Sequence, residues 1–426
     1  TAAAARVDSP VSAAVLLATL CTRRSDWLAG ESVVPIEDHA MLSDQRTAAI
    51  VTPAARITWM CVPRADSSAI FAELVGGPGT GHFSVRPATN GGEPIQRYVE
   101  QTLVLRTAWQ TLSVTDYLDC SDGRPSRLSG PTDLVRVIEG SGRAVVEFAP
   151  SLDFGRFPTQ LERRDGGLEV VNAADLVVLR SPGVEWTILD AGMHQTARAE
   201  IDLDRGPVTL EMRCGTASMR PDRTDEIRRR ERTTDFWRHW AQTLELPAVS
   251  PEMVRRSALT LKALCYGPAG SILAAATTSL PEEIGGVRNW DYRYCWPRDA
   301  SMTAAALVEL GSYGEAVALL DWLCARLDHL PGPEQLRPVY PVHGDNPIPE
   351  AVIPTLSGYA GSRPVRIGNA AENQVQLDVF GPVADLVLEL VRRGFEITDE
   401  HWRVVWAMGH AVVSRWREPD HGIWEE

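Results

Sequence analysis

Cysteine pairs at metal or redox spacing are missing from this 426-residue chain. Its seven cysteines (Cys21, Cys61, Cys120, Cys214, Cys265, Cys295 and Cys324) are scattered and odd in number, with no Cys-x-x-Cys. That pattern argues against a zinc site or a disulfide frame and for reduced thiols in a cytoplasmic protein. Long apolar runs are missing too, since none approaches the ~20 residues of a membrane span. Val11 to Cys21 is apolar but short, preceded by one basic residue, Arg6, and lacking a small residue just before Cys21. It reads as a packed or frayed leader rather than a targeting signal. Thr1 is not a methionine, so an earlier start is expected. Positive charge is outnumbered: the formal net charge of −14 argues against nucleic acid or an anionic membrane as a partner. The histidines, His343 and His421 among them, show neither metal spacing nor a triad context, so no metal and no cofactor is expected.

What is present is enough apolar material, 44% of the residues, for a large core and two domains. From Val34 to about Arg220, short β-rich runs alternate with Gly, Pro, Asp and Asn; examples are Ile57–Val62, Leu134–Ile138, Ala144–Phe148 and Val208–Met212. Strands at this spacing, with no helical period between them, predict an antiparallel β-sandwich. Asp222 to Leu246 is charged and then amphipathic, with Phe236, Trp237, Trp240 and Leu244 at helical spacing, and reads as a linker helix. Pro247 and Pro251 punctuate the boundary. Beyond it, residues 252–266, 299–310, 314–328, 371–393 and 398–417 carry helical periodicity. The expected division is a leader over 1–32, a sandwich over 33–221, a linker over 222–250 and a helical domain over 251–426.

The densest chemistry lies in Arg288-Asn289-Trp290-Asp291-Tyr292-Arg293-Tyr294-Cys295-Trp296-Pro297-Arg298-Asp299-Ala300, which packs two Trp, two Tyr, three Arg and two Asp into thirteen residues. Aromatic faces stack on the apolar C–H faces of a sugar ring, and Arg and Asp forks grip its hydroxyls. A buried ion-pair network under aromatic packing is the plainer alternative. The density of both residue kinds, followed at once by a helical run, favours a carbohydrate site.

These residues, with GYAGSRPVRIGNAA from Gly358, QVQLDVFGPVADL from Gln374 and EPDHGIWEE from Glu418, resemble the motifs of glycoside hydrolase family 15, which holds glucoamylases, glucodextranases and bacterial trehalases. VPIEDHAMLSDQRTAAIV from Val34 is similar to the opening of the trehalase-like N-terminal domain of its bacterial members, nearest the actinobacterial branch. One departure stands at Ala54-Ala55-Arg56-Ile57-Thr58-Trp59, where many relatives carry Asp-Gly-Ser-Ile-Asp-Trp; the missing Gly removes the residue that would ease a tight hairpin. The resemblance implies a β-sandwich followed by an (α/α)6 barrel. Five or six helices against the twelve of such a barrel imply that about its first half is present. It also implies inverting hydrolysis of an α-glucosidic bond, trehalose first, with maltose or α-glucans as the exo-acting alternative and a non-catalytic sugar-binding or scaffold fragment as a third reading. Carried over by motif, Glu425 is the general acid and Trp424 limits its hydration. Arg298 and Asp299 hold the hydroxyls of the non-reducing glucose, Trp296 and Trp290 shape the pocket, and Arg363, Arg366 and Asn369 reach toward substrate from their loop. The general base belongs to a later part of the barrel and is expected to be absent from this chain; Glu282, Glu283 and Glu372 are not assigned to it. A half barrel leaves apolar helix faces uncovered, which makes a homo-oligomer a possible state.

Overall fold

The computed structural model describes residues 33–328, 330, 332 and 335–423, so the expected leader, Trp424 and Glu425 lie outside the described residues. The chain divides into two compact units, residues 1–39 and 40–426. In the first, a 3-10 turn spans Ile36–Asp38, and His39 Nδ1 lies 2.9 Å from the Pro35 carbonyl.

The second unit begins with two antiparallel sheets. One runs in the order Ala40–Ser43, Ala48–Val51, Arg56–Cys61, His82–Pro87, Arg143–Ala149, His194–Asp202, Thr187–Ala191, with Ala69–Phe71 paired to Arg56–Cys61. The other runs Gln160–Arg164, Gly167–Val171, Val177–Arg180, Val208–Cys214, Thr132–Gly140, Leu112–Leu118, Leu105–Ala108, Ile95–Tyr98. Phe83, Val146 and Phe148 of the first share one core with Leu134, Ile138, Leu210 and Met212 of the second. The period-2 alternation of a strand then decides what each face carries. Leu134 and Ile138 point into that core, while Val135 and Val137 join Tyr117 and Val104 in a separate cluster. Arg136 shares the inward face: it is fully buried, grips Asp116 through Nε and Nη2 at 2.8 and 3.1 Å, and donates to the Phe83 and Ala55 carbonyls of the opposite sheet.

The hairpin that lacks glycine forms nonetheless. Thr52 N donates to Arg56 O at 2.8 Å and Ala55 N to Thr52 O at 3.1 Å, with Ala55 itself at φ 52°. A left-handed alanine costs roughly 1–2 kcal/mol; the Arg136 bond to its carbonyl is one compensating contact.

Helix α1, Glu226–Gln242, starts at an Asp225 cap whose side chain accepts from Arg228 N. Its Arg229 is buried among Asp119, Asp133 and Glu211, which fastens α1 to the second sheet. Five further α-helices follow among the described residues: α2 Pro251–Leu264, α3 Pro297–Glu309, α4 Gly314–Leu327, α5 Phe380–Arg392 and α6 Asp399–Arg415. α3 packs on α4 and α5, and α6 packs on the same two. Ala304, Leu307, Leu319, Leu323, Val383, Leu386, Val404 and Met408 form their common core. The helix expected from residue 371 begins only at Phe380; the stretch before it is two 3-10 turns, Ala370–Asn373 and Leu377–Val379, around an extended Gln374–Gln376.

Sandwich and helices are stitched directly. Ser43 Oγ and Gln45 Nε2 donate to the Ala263 and Lys262 carbonyls near the end of α2 at 2.8 and 3.0 Å, and Trp59 Nε1 donates to Ala276 O at 2.9 Å. The six cysteines of the described residues are free thiols. Burial pushes Cys61 and Cys324 up to about 11 and Cys265 and Cys295 up to about 12, so they stay protonated near neutral pH. No helix among the described residues is long and apolar enough to cross a membrane.

Candidate active site

The aromatic-rich stretch is extended along residues 274–279. Ala274 N, Ala275 N and Ser279 N donate to the carbonyls of Tyr294, Tyr292 and Trp290 at 2.9, 2.8 and 2.8 Å. Alternation again sorts the side chains. Asp291 and Arg293 are buried and paired to each other at 2.6 Å; Arg293 Nη1 reaches the Ser67 carbonyl of the sandwich at 2.6 Å, and Asp291 Oδ2 accepts from Gly368 N at 3.1 Å. Tyr294 and Trp296 instead join Val339, Ile348 and Ala371 in one cluster, with Tyr292 packed against it. Trp296 is 2% exposed and meets the edge of Tyr292 at a ring separation of 5.5 Å. For Asp291 and Arg293 the plainer reading of a structural ion pair therefore applies, and Trp296 is a buried support behind Tyr292.

The stretch then enters α3 through Pro297 at its first position, which presents Arg298 and Asp299 at the helix start. Arg298 Nη1 donates to Gln376 Oε1 at 3.0 Å and Asp378 Oδ2 at 2.8 Å, and its Nε lies 3.3 Å from Asp299 Oδ2. Gln376 is in turn oriented by donating to Gln374 Oε1 at 2.8 Å. Asp299 keeps Oδ2 buried against Arg298 while 46% of its side chain is open to solvent. Desolvation raises its pKa above the ordinary carboxylate value, the Asp378 charge adds to that, and Arg298 opposes it. Asp378 Oδ1 is buried with no hydrogen-bond donor among the described residues. Carboxylate oxygens held beside a fixed guanidinium are acceptors suited to the hydroxyls of a neutral polyol.

Trp290 and Arg366 form a second group. The Arg366 guanidinium stacks 4.3 Å over the half-buried Trp290 ring, donates to the Val287 and Asn289 carbonyls at 3.0 and 3.2 Å, and pairs with Glu350 at 3.2 Å. Its forks are largely committed to bracing the loop. Asn369 is buried and caps Ala370–Asn373: its Oδ1 accepts from Ala371 N at 2.9 Å and its Nδ2 donates to Asp291 O at 3.3 Å. Arg363 is exposed, with Nε donating to Ser357 O at 3.3 Å. Glu372 is taken up by Ile348 N and Arg337, at 2.9 and 3.3 Å. Gln376 and Asp378 carried no role in the sequence reading. Their signal was the period-2 spacing of Gln374, Gln376 and Asp378 inside one of the quoted motifs.

The acid candidate Glu425 and its neighbour Trp424 lie outside the described residues, but the segment leading to them does not. His421 N donates to Val375 O at 2.9 Å, Val375 N to His421 Nδ1 at 3.3 Å, and Leu377 N to Asp420 Oδ2 at 2.9 Å. The segment is thus fastened to the same stretch, Gln374–Asp378, that holds Arg298. A cavity of about 600 Å³ elsewhere, between α1 and the second sheet, is lined by Arg106, Glu139, Arg230 and Asp235 with no aromatic ring, and contains none of these residues. No cluster of three or more His, Cys, Asp or Glu among the described residues is arranged to hold a metal ion.

Residues 22–237 match the family described as trehalase-like, N-terminal, and residues 248–426 match glycosyl hydrolases family 15. The chain belongs to glycosyl hydrolase family 15. Among curated relatives of this family-15 chain are a trehalase of Mycobacterium tuberculosis, 33% identical over 92% of this chain and 61% of that protein, and one of Mycolicibacterium smegmatis, 33% identical over 92% and 62%. A trehalase of Thermoplasma volcanium is 30% identical over 93% of this chain and 63% of its own length. The family-15 chain thus spans less than two thirds of the length of these relatives.

Proposed function

We propose that this chain supplies the glucose-gripping subsite and the general acid of an inverting α-glucosidase acting on trehalose, and that its helices are the first half of an (α/α)6 barrel. The observation that carries the reading is the Arg298 guanidinium, immobilised by Asp378 and Gln376 beside the half-open carboxyl of Asp299. Trehalose is favoured over other α-glucosides because the curated relatives are named trehalases.

Inversion needs an acid to protonate the leaving oxygen and a carboxylate, roughly 6.5–9.5 Å away, to activate water on the opposite face of the sugar. Glu425 takes the first role. None of this chain's other glutamates is assigned the second. Arg298 and Asp299 fix the hydroxyls of the non-reducing glucose, so that binding energy orients the anomeric carbon toward the acid.

The test is glucose release from trehalose, maltose and maltotetraose by this chain and by a form extended past Glu426 that can carry the base, with anomers resolved by early-time NMR. Trehalose is expected to be preferred and to yield α- and β-glucose in equal initial amounts, and Glu425→Gln is expected to lower the rate about 10²- to 10⁴-fold. Two α-anomers would refute inversion, and faster cleavage of maltotetraose would favour the glucoamylase-like alternative. Saturable trehalose binding with no glucose release from either form would leave a sugar-binding chain and no hydrolase.

A further inference from the structure

Asp420 is exposed and five residues beyond the end of α6, yet it accepts a backbone hydrogen bond from Leu377 at 2.9 Å. Next to it, His421 and Val375 exchange two bonds, one through backbone N–H to carbonyl at 2.9 Å and one through Val375 N to His421 Nδ1 at 3.3 Å. The three bonds use the backbone of Val375 and Leu377. The side chains of Gln376 and Asp378, the residues between and after them, turn to Arg298. Gln374–Gln376 is extended and leads into the 3-10 turn Leu377–Val379. Across this junction the backbone N–H groups of Val375 and Leu377 and the side chains of Gln376 and Asp378 find different partners, so Gln374–Asp378 works as a brace with two faces. One face immobilises the guanidinium at the start of α3, and the other receives the segment that runs through Gly422 and Ile423 toward Glu425.

We propose that Asp420 is a positioning residue: by anchoring its segment to the brace that holds Arg298, it sets the acid's distance from the sugar subsite. The inference rests on the proposed function for what is positioned, and on geometry alone for the anchor. Its chemistry is that of an acceptor, not of a charge. The Leu377 N–H sits in a stretch where a continuous helix would have satisfied it, and the Asp420 carboxylate takes the place of a helical partner. Loss of the anchor leaves Arg298, Gln376 and Asp378 untouched, so ground-state sugar binding stays while alignment of the acid suffers. Misplacement by about 1 Å can cost on the order of 10²-fold in rate.

Two variants and two readouts test this. Asp420→Ala removes the acceptor; Asp420→Asn keeps a side-chain carbonyl at the same reach and discards the charge. Each is compared with wild type in trehalose kinetics, in the form extended past Glu426 if this chain alone is silent, and in amide hydrogen exchange at Leu377 and His421. Asp420→Ala is expected to lower kcat about ten-fold or more with KM within about two-fold, and to speed exchange at Leu377 about ten-fold. Asp420→Asn is expected to restore both. Equal damage from the two variants would show a charge effect and overturn the anchor. Unchanged Leu377 exchange in Asp420→Ala would overturn it as well. Silence of both this chain and the form extended past Glu426 would sink the proposed function, and the exchange measurement would still decide the brace, since it reads the Leu377 bond without substrate.

Discussion

At Asp299 one carboxylate oxygen is buried against Arg298 while the side chain as a whole stays nearly half open, and desolvation holds its pKa above the ordinary value. A carboxyl raised by folding favours the protonated form in the native state. Its contribution to stability is therefore present at low pH and lost as pH rises through the raised value. Sugar binding runs the other way, because a hydroxyl donor is held best by the ionised form. Trehalose affinity, followed by calorimetry across a pH series, is expected to fall on acidification at higher pH than an unperturbed aspartate would dictate. Asp299→Asn should abolish that limb and weaken binding about ten- to hundred-fold, the worth of a charged hydrogen bond. A wild-type affinity that does not change on acidification would sink the assignment. In the sandwich, Arg136 holds Asp116 and two carbonyls with no exposure to water. Arg136→Met leaves Asp116 buried and alone, at an expected loss of about 3–5 kcal/mol in urea unfolding; Arg136→Met with Asp116→Leu should recover much of it. Equal losses in the single and double variants would show that the arginine acts mainly through the Phe83 and Ala55 carbonyls.

Elements whose pattern is set by burial were legible in the chain. Strands such as Leu134–Ile138 and Ala144–Phe148 carry the period-2 signature because one face meets the core, and α4 and α6 carry the helical one for the same reason. The stretch from 371 was misread because its conformation is imposed from outside. Residues 374–376 spell nothing against helix, but Val375 and Leu377 bond to Asp420 and His421, and Gln376 turns to Arg298. Half of the candidate site was legible on the same terms. The motif pointed to Arg298 and Asp299, whereas the partners that orient them lie about eighty residues on and were readable only as a spacing. Asn369 tests the distinction between support and contact. Both ends of its amide are committed to Ala371 N and Asp291 O, so Asn369→Ala is expected to lower stability by about 1 kcal/mol, as for a lost cap, with trehalose KM unchanged. A ten-fold rise in KM at unchanged stability would instead make Asn369 a substrate contact.

Across the molecule, α6 carries apolar residues on two opposite faces. Val404, Met408 and Ala411 are buried against α4 and α5, while Trp402, Trp406 and Val413, with Trp416 just past the helix end, are each more than half exposed. Leu388 and Val391 of α5 are also exposed. Trp402, Trp406, Gly409, Val413 and Trp416 alternate at spacings of four and three, the seam of a helix pair. The seam is nearly symmetric about Gly409: a Trp stands seven residues to either side, and open space lies above the glycine itself. Two copies crossing antiparallel at Gly409 would set each Trp402 against the other's Trp416. The same crossing brings the acidic first turn, Asp399 and Glu400, toward the basic end at Arg415 and Arg417. Such an isologous contact is self-complementary in shape and charge. Sedimentation velocity should therefore show concentration-dependent dimers. Trp406→Glu, which places a charge in the middle of the seam and touches neither Arg298 nor its brace, should shift the chain to monomer with sugar binding intact. Wild type that sediments as a monomer at every concentration would remove this surface from the assembly. Dimers that survive Trp406→Glu would move the contact to another face.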